Sequence, residues 1–316
     1  MRRILLLLTM IGAALLLSST VAVAAIKIGT NGDDRIRGTD SADQINGKGG
    51  NDRLNGKAGN DTYYFADGFG VDTLIDSAGT DTLNFSRLTT GVEVYLIPEW
   101  GPDWNAAYNG NNQVNMGSSV IENAIGGSGK DFIYGGKDQN TLRPGNGDKD
   151  ELWDYGGYPG NSSYVAIPVS DDTYKGFTSS SGTDYVVDWG GSADTIDLRS
   201  FDSSEVYFDA VDLNGNGTNE SLLLLTGDNS GVIVVGHFID YFAGQEGHVE
   251  QIMFADGTFS TDEVQQAQAK AFSAAAERND KRAEAAKKLV PKAKAPKLSE
   301  SLKQRNSGES SSDSGE

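Results

Sequence analysis

The chain has no cysteine, only two histidines and seven prolines in 316 residues. Without cysteine there is no disulfide framework, no thiolate nucleophile and no thiolate-bound metal. Two histidines cannot build a three-histidine zinc centre, and they do not form an H-E-x-x-H pair. Basic residues are scarce too: 26 against 45 acidic ones give a formal charge of −19. That balance argues against nucleic acid or an anionic membrane surface as the main partner. What is abundant is oxygen: 40 glycines, which leave backbone carbonyls accessible, and a surplus of carboxylates suited to hard cations.

Arg2 and Arg3 precede the apolar run Ile4 to Leu17, and Ala22-Val23-Ala24-Ala25 follows it. This is the three-part layout of a secretory signal peptide over residues 1–25, so the mature chain is expected to be secreted or envelope-associated. An uncleaved anchor helix is the alternative; no later run is apolar for long enough to span a bilayer. Residues 26–262 hold 13 basic and 37 acidic residues, a charge of −24, whereas 263–316 hold 11 and 8, a charge of +3. The Ala/Gln/Glu/Lys-rich start of that tail predicts a helix over 263–290. Its Pro/Lys/Ser/Glu remainder, 291–316, cannot bury enough apolar surface to fold.

A nine-residue period begins at Gly29. Units start at Gly29, Gly38, Gly47 and Gly56, place Asp34, Asp43, Asp52 and Asp61 at position 6, and place Ile36, Ile45, Leu54 and Tyr63 at position 8. After a two-residue slip at Phe65-Ala66, two looser units carry Asp72 and Asp81. A second block opens with Gly126-Gly127-Ser128-Gly129-Lys130-Asp131-Phe132-Ile133-Tyr134 and continues with Asn140 at position 6. Its next unit needs one extra residue, leaving Asp148 or Asp150 as the ligand candidate.

These units resemble the RTX (repeats-in-toxin) nonapeptide of haemolysin-type calcium-binding proteins. The resemblance implies an all-β parallel β-roll in which six residues turn and three form a short strand, so 18 residues complete one coil. Glycine is expected to take positive-φ positions in the tight turns. Position 8 points inward, and residues 18 apart stack about 4.8 Å from each other. Asp34 then lies above Asp52 and Asp43 above Asp61, and two such carboxylates repel by roughly 3 to 4 kcal/mol at an effective dielectric near 20. Several Ca²⁺ ions, each accepting six to eight oxygens, would remove that conflict, and folding is expected to depend on them.

The chain therefore divides into RTX block 1 (26–85), a connecting β region (86–125), block 2 (126–155) and a C-terminal β region (156–262). In the connecting region, Val92, Val94 and Leu96 alternate as antiparallel strands and lead to a loop with Trp100, Trp104 and Tyr108. Val120-Ile121-Glu122-Asn123-Ala124 and His248-Val249-Glu250-Gln251-Ile252-Met253-Phe254-Ala255-Asp256-Gly257-Thr258 are similar to segments that flank such repeats. Asp212, Asn214 and Asn216 begin a stretch like an EF-hand loop, without the acidic residue at position 12; a hairpin turn is the alternative. No G-x-S-x-G elbow or zinc signature is present. A non-enzymatic secreted calcium-binding protein is expected, with an adhesin or carbohydrate-binding module and a polysaccharide-acting enzyme as alternatives. Beyond calcium, a cell-surface polymer or polysaccharide is the partner class left open.

Overall fold

The computed structural model describes residues 23–98, 105–147, 149–153, 171–178, 182–188, 193–211, 221–226, 230–234, 249–260 and 263. Among them, strands β1 to β22 form two sheets, of ten and twelve strands, around one continuous core. The chain alternates between the sheets. β1 (Ile26–Ile28), β3 (Gln44–Asn46), β5 (Thr62–Ala66) and β7 (Thr82–Arg87) lie in the first, and β2 (Arg35–Arg37), β4 (Arg53–Ala58) and β6 (Val71–Ala78) in the second. β1 to β5 each pair in parallel with the strand two further on, which is the coil of a β-roll.

The position-8 stripe explains why this works. Ile36, Leu54 and Leu74 stand side by side in the second sheet, and Ile45, Tyr63 and Leu83 in the first. All but Ile36 are at most 1 % exposed, and burial of such side chains stabilises by about 1.5–3 kcal/mol each. At the N-terminal end the register position beside Ile45 belongs to Lys27, so the first coil presents a charge where another apolar coil would stack. The slip at Phe65-Ala66 does not break the stack. It lengthens the coil and shifts the β5–β7 register locally, while Phe65 packs with Phe69 and Phe85 at centroid distances of 5.2 and 5.0 Å.

The two repeat blocks form one roll. β11 (Asn123–Ile125) pairs in parallel with β7, and β12 (Phe132–Tyr134) with β8 (Glu93–Leu96). Between them, β9 (Asn105–Asn109) and β10 (Asn112–Asn115) form a hairpin that pairs antiparallel with β8 and parallel with β6, bridging the second sheet. Alternation then resumes through β13 (Thr141–Arg143), β14 (Glu151–Trp153), β15 (Thr173–Lys175), β16 (Thr183–Val187) and β17 (Thr195–Leu198). Antiparallel strands finish both sheets: β18 (Tyr207–Val211), β19 (Ser221–Leu225) and β20 (Gly231–Val234) on the second, β21 (Gln251–Phe254) and β22 (Gly257–Ser260) on the first. The antiparallel strands expected in the connecting region are present, and β19 pairs antiparallel with β20. The expected helix over 263–290 lies outside the described residues apart from Glu263, as does the tail. Among the described residues no helix is long and apolar enough to cross a membrane.

Candidate metal centre

The position-6 side chains form two files along the roll, one at the entry to each sheet. In the file entering the second sheet, Asp34 N donates to Asp52 Oδ1 (2.8 Å) and Asp52 N to Asp72 Oδ1 (2.8 Å). In the other, Asp43 N donates to Asp61 Oδ1 (2.7 Å), Asp61 N to Asp81 Oδ1 (2.7 Å) and Asp81 N to Glu122 Oε2 (2.7 Å). One oxygen of each acceptor carboxylate therefore ties neighbouring coils together. Asp72 and Asp81, the members of the looser units, stand fully in these files.

The second oxygen divides the sites into two kinds. In the first two units, the backbone N–H and hydroxyl of Thr30 hold Asp34 Oδ2 at 2.6 and 2.8 Å, and Thr39 N holds Asp43 Oδ2 at 2.5 Å. In the next three, position 2 is Lys48, Lys57 or Gly68, with φ of 73°, 84° and 73°. There Asp52 Oδ2, Asp61 Oδ2 and Asp72 Oδ2 are buried without a hydrogen-bond partner, as is Asp81 Oδ2. Such oxygens are costly to bury unless something compensates them. As expected, glycine takes positive φ within the turns, at Gly50, Gly59, Gly68, Gly70 and Gly79, while the glycines at position 1 do not. Where position 1 is glycine, space requires it: a Cβ on Gly47 or Gly56 would overlap the carboxylate of Asp52 or Asp61. A Cβ on Gly50 or Gly59 would likewise strike the carbonyl of Gly32 or Ser41 in the preceding coil, so turn carbonyls line up beside the carboxylates.

Electrostatics follow the same division. The Thr30 N–H and hydroxyl hold the Asp34 carboxyl below its ordinary value. Burial pushes Asp43 up, but donors from Thr39 and Ala25 outweigh it and leave it lowered. Burial raises Asp52, and raises Asp61 to about 6 and Asp72 and Asp81 to about 7, with neighbouring carboxylates adding to each. The files oppose their own ionisation.

The second block continues the files with different partners. Asp131 accepts Val92 N and Gly127 N, both at 2.7 Å, and Asp131 N donates to Asp150 Oδ1 at 2.7 Å, so Asp150 stands in the file beside Asp131. Burial raises Asp131 to about 8. Asn140 stands at position 6 of the next unit, in a file with Asp172 through Asn140 N to Asp172 Oδ1 at 2.7 Å. Its Oδ1 accepts Gly136 N at 2.7 Å while its Nδ2 donates to Glu122 O at 2.8 Å, a neutral link in the stack. The file runs on through Asp172, Asp194 and Glu250, which had not been singled out as ligands. Asp76 was missed as well, because it occupies position 1, where the pattern calls for glycine; its place beside Asp61 and Asp81 comes from folding. Asp148, Asp212, Asn214, Asn216, Trp100 and Trp104 lie outside the described residues.

Calcium fits this donor set. In the position-6 files the buried oxygens without partners belong to carboxylates, the adjacent groups are turn carbonyls, and Ca²⁺ accepts such oxygens at about 2.3–2.6 Å with flexible geometry. Family comparison matches residues 28–63 to the RTX calcium-binding nonapeptide repeat (4 copies) and residues 70–245 to Peptidase M10 serralysin C terminal. No curated protein matches the chain. The second match covers more than half of the 316 residues and comes after the first in the chain, so the chain belongs to the serralysin C-terminal family, as a calcium-binding β-roll protein that carries RTX repeats.

Proposed function

We propose that this calcium-binding roll works as an exported, non-enzymatic module that acquires its structure on meeting calcium outside the cell. The observation that carries this reading is the set of buried carboxylate oxygens without partners at Asp52, Asp61, Asp72 and Asp81. A chain with unbalanced carboxylates in its turns is held open at low calcium and closes when the cation arrives. Extracellular calcium modules work at about 0.1–1 mM, which separates the compartments of synthesis and use. The matched family model is named for the C-terminal part of a peptidase, and the carboxylates of this roll are committed to coil stacking, which supports a non-catalytic role.

Calcium titration of the chain, followed by circular dichroism and calorimetry, tests the reading. The β signal should appear on adding calcium, and Asp52→Ala combined with Asp61→Ala should lower the number of ions bound. Full β structure in chelator, or unchanged stoichiometry in the double variant, would sink it. Turnover by the purified chain on a panel of polysaccharides and proteins would overturn the non-enzymatic part alone.

A further inference from the structure

Asp61, Asp76 and Asp81 bring one carboxylate oxygen each within 4.8 Å of one another, and all three residues are buried. Asp76 does not belong to the position-6 files. Its Oδ2 accepts the Tyr63 hydroxyl at 2.5 Å and its Oδ1 accepts Ala78 N at 3.3 Å, so it is held by donors from two strands. A Cβ on Gly56 would overlap Asp61 Oδ2, the Tyr63 hydroxyl and Asp76 Oδ2 together, which shows that these oxygens converge on one point above that glycine. A purely structural role for Asp76 as acceptor for Tyr63 leaves two facts unexplained. Asp61 Oδ2 and Asp81 Oδ2, on residues 1 % exposed, still lack a partner.

The same arrangement occurs a second time. Asp172-Thr173-Tyr174, Asp188, Asp194 and Glu250 repeat Asp61-Thr62-Tyr63, Asp76, Asp81 and Glu122. Asp172 N donates to Asp194 Oδ1 at 2.6 Å and Asp194 N to Glu250 Oε2 at 2.7 Å, matching Asp61 N to Asp81 Oδ1 and Asp81 N to Glu122 Oε2, both at 2.7 Å. Tyr174 donates to Asp188 Oδ2 at 3.2 Å, where Tyr63 donates to Asp76. Asp194 Oδ2, like Asp81 Oδ2, is buried without a partner.

We propose that Asp61, Asp76 and Asp81 form a cation site of their own, built from three carboxylates and positioned by the Tyr63 hydroxyl, and that Asp172, Asp188 and Asp194 with Tyr174 form its second copy. The chemistry suits a hard cation of charge two or more, with Ca²⁺ favoured over Mg²⁺ because the ligands are side chains and not an octahedron of waters. The site rests on the calcium-binding character of the roll but draws on a residue outside the position-6 files, so Asp76 separates the two.

Equilibrium dialysis of the full chain against Ca²⁺ tests this, with Asp76→Asn and Asp188→Asn as variants. Each should bind one ion fewer than the parent while keeping the remainder. Asp76→Gly, which restores the residue found at position 1 in the first four units, should lose the same ion and decides the matter if Asp76→Asn does not reach the parent's circular dichroism at saturating calcium. Tb³⁺ in place of Ca²⁺ gives a second readout, since Tyr63→Phe should reduce tyrosine-sensitised emission. An unchanged ion count together with unchanged emission would overturn the site. A parent chain that binds no calcium at all would instead overturn the calcium reading itself.

Discussion

Removing calcium at neutral pH should unfold the roll, and acidifying the calcium-free chain should restore it in part. Burial, followed by the charge of neighbouring carboxylates, raises Asp61 to about 6 and Asp72 and Asp81 to about 7; burial and the Asp150 charge raise Asp131 to about 8. An unfolded aspartate titrates near 3.9. Between those values the folded chain holds more protons than the unfolded one, so its stability falls as pH rises. The contribution is fully present below about pH 4 and is lost as pH climbs through 6 to 8. At pH 7 the four groups together could cost about 15 kcal/mol if each shift counted in full at about 1.4 kcal/mol per unit. Solvent reaching the turns reduces that to about 5–8 kcal/mol, still comparable with the whole stability of an ordinary domain, about 5–15 kcal/mol. Far- and near-ultraviolet circular dichroism of dialysed, calcium-free chain at pH 7.5 and pH 5 measures it, the near-ultraviolet signal separating native packing from a collapsed acid state. Recovery of both signals at pH 5 is expected. Asp72→Asn combined with Asp81→Asn, which removes two titrating groups without changing shape, should flatten the response. A calcium-free chain equally folded at both pH values, or a double variant with the parent's pH response, would refute the reasoning.

Other consequences concern single residues. Gly47→Ala should cost about 1–3 kcal/mol in urea denaturation and weaken calcium binding, because its Cβ overlaps the Asp52 carboxylate. Gly68→Ala meets open space at φ 73° and should cost only about 1 kcal/mol for the left-handed backbone; equal losses in binding would count against the space argument. Lys57→Gly should raise the melting temperature in calcium, relieving a φ of 84° by up to about 1 kcal/mol, since the surface pair with Asp40 at 3.4 Å contributes little; a lower melting temperature would contradict this. Asp34→Ala should leave the ion count unchanged where Asp52→Ala lowers it, because Thr30 already satisfies Asp34. Equal loss of ions in both would show that the threonine does not stand in for the cation.

The parts of the fold that were legible are those governed by a short period. Asp at position 6 and an apolar residue at position 8 recur in the chain, and stacking translates that recurrence directly into two carboxylate files and an inward stripe. Even the slip at Phe65-Ala66 preserves the frame, because the extra phenylalanine enters the core. The union of the two blocks was not legible, since it depends on Phe132 lying beside Glu93 and Asn123 beside Thr82, pairings between distant segments that no local period encodes. Nor was the division of the carboxylates. Lysine seldom adopts a positive φ, so nothing in Lys48 or Lys57 as residue types announced that their N–H groups would leave Asp52 and Asp61 unsatisfied.

The residues that escaped the period carry their own logic. A repeat protein must solve its ends and its exceptions with residues that depart from the consensus. Thr30 and Thr39 satisfy Asp34 and Asp43 in the first two units with protein donors alone. Asn140 replaces a charge by an amide that both accepts and donates, so one step of the file needs no counter-charge at all. Asp76 does the reverse, adding a charge where the consensus has only a hydrogen atom, and it is accompanied by the tyrosine that holds it. Because Tyr174 and Asp188 reproduce that pairing beside Asp194, the departure behaves as a second pattern of longer range laid over the first. It is visible in the sequence only once the folded chain shows which aspartates meet.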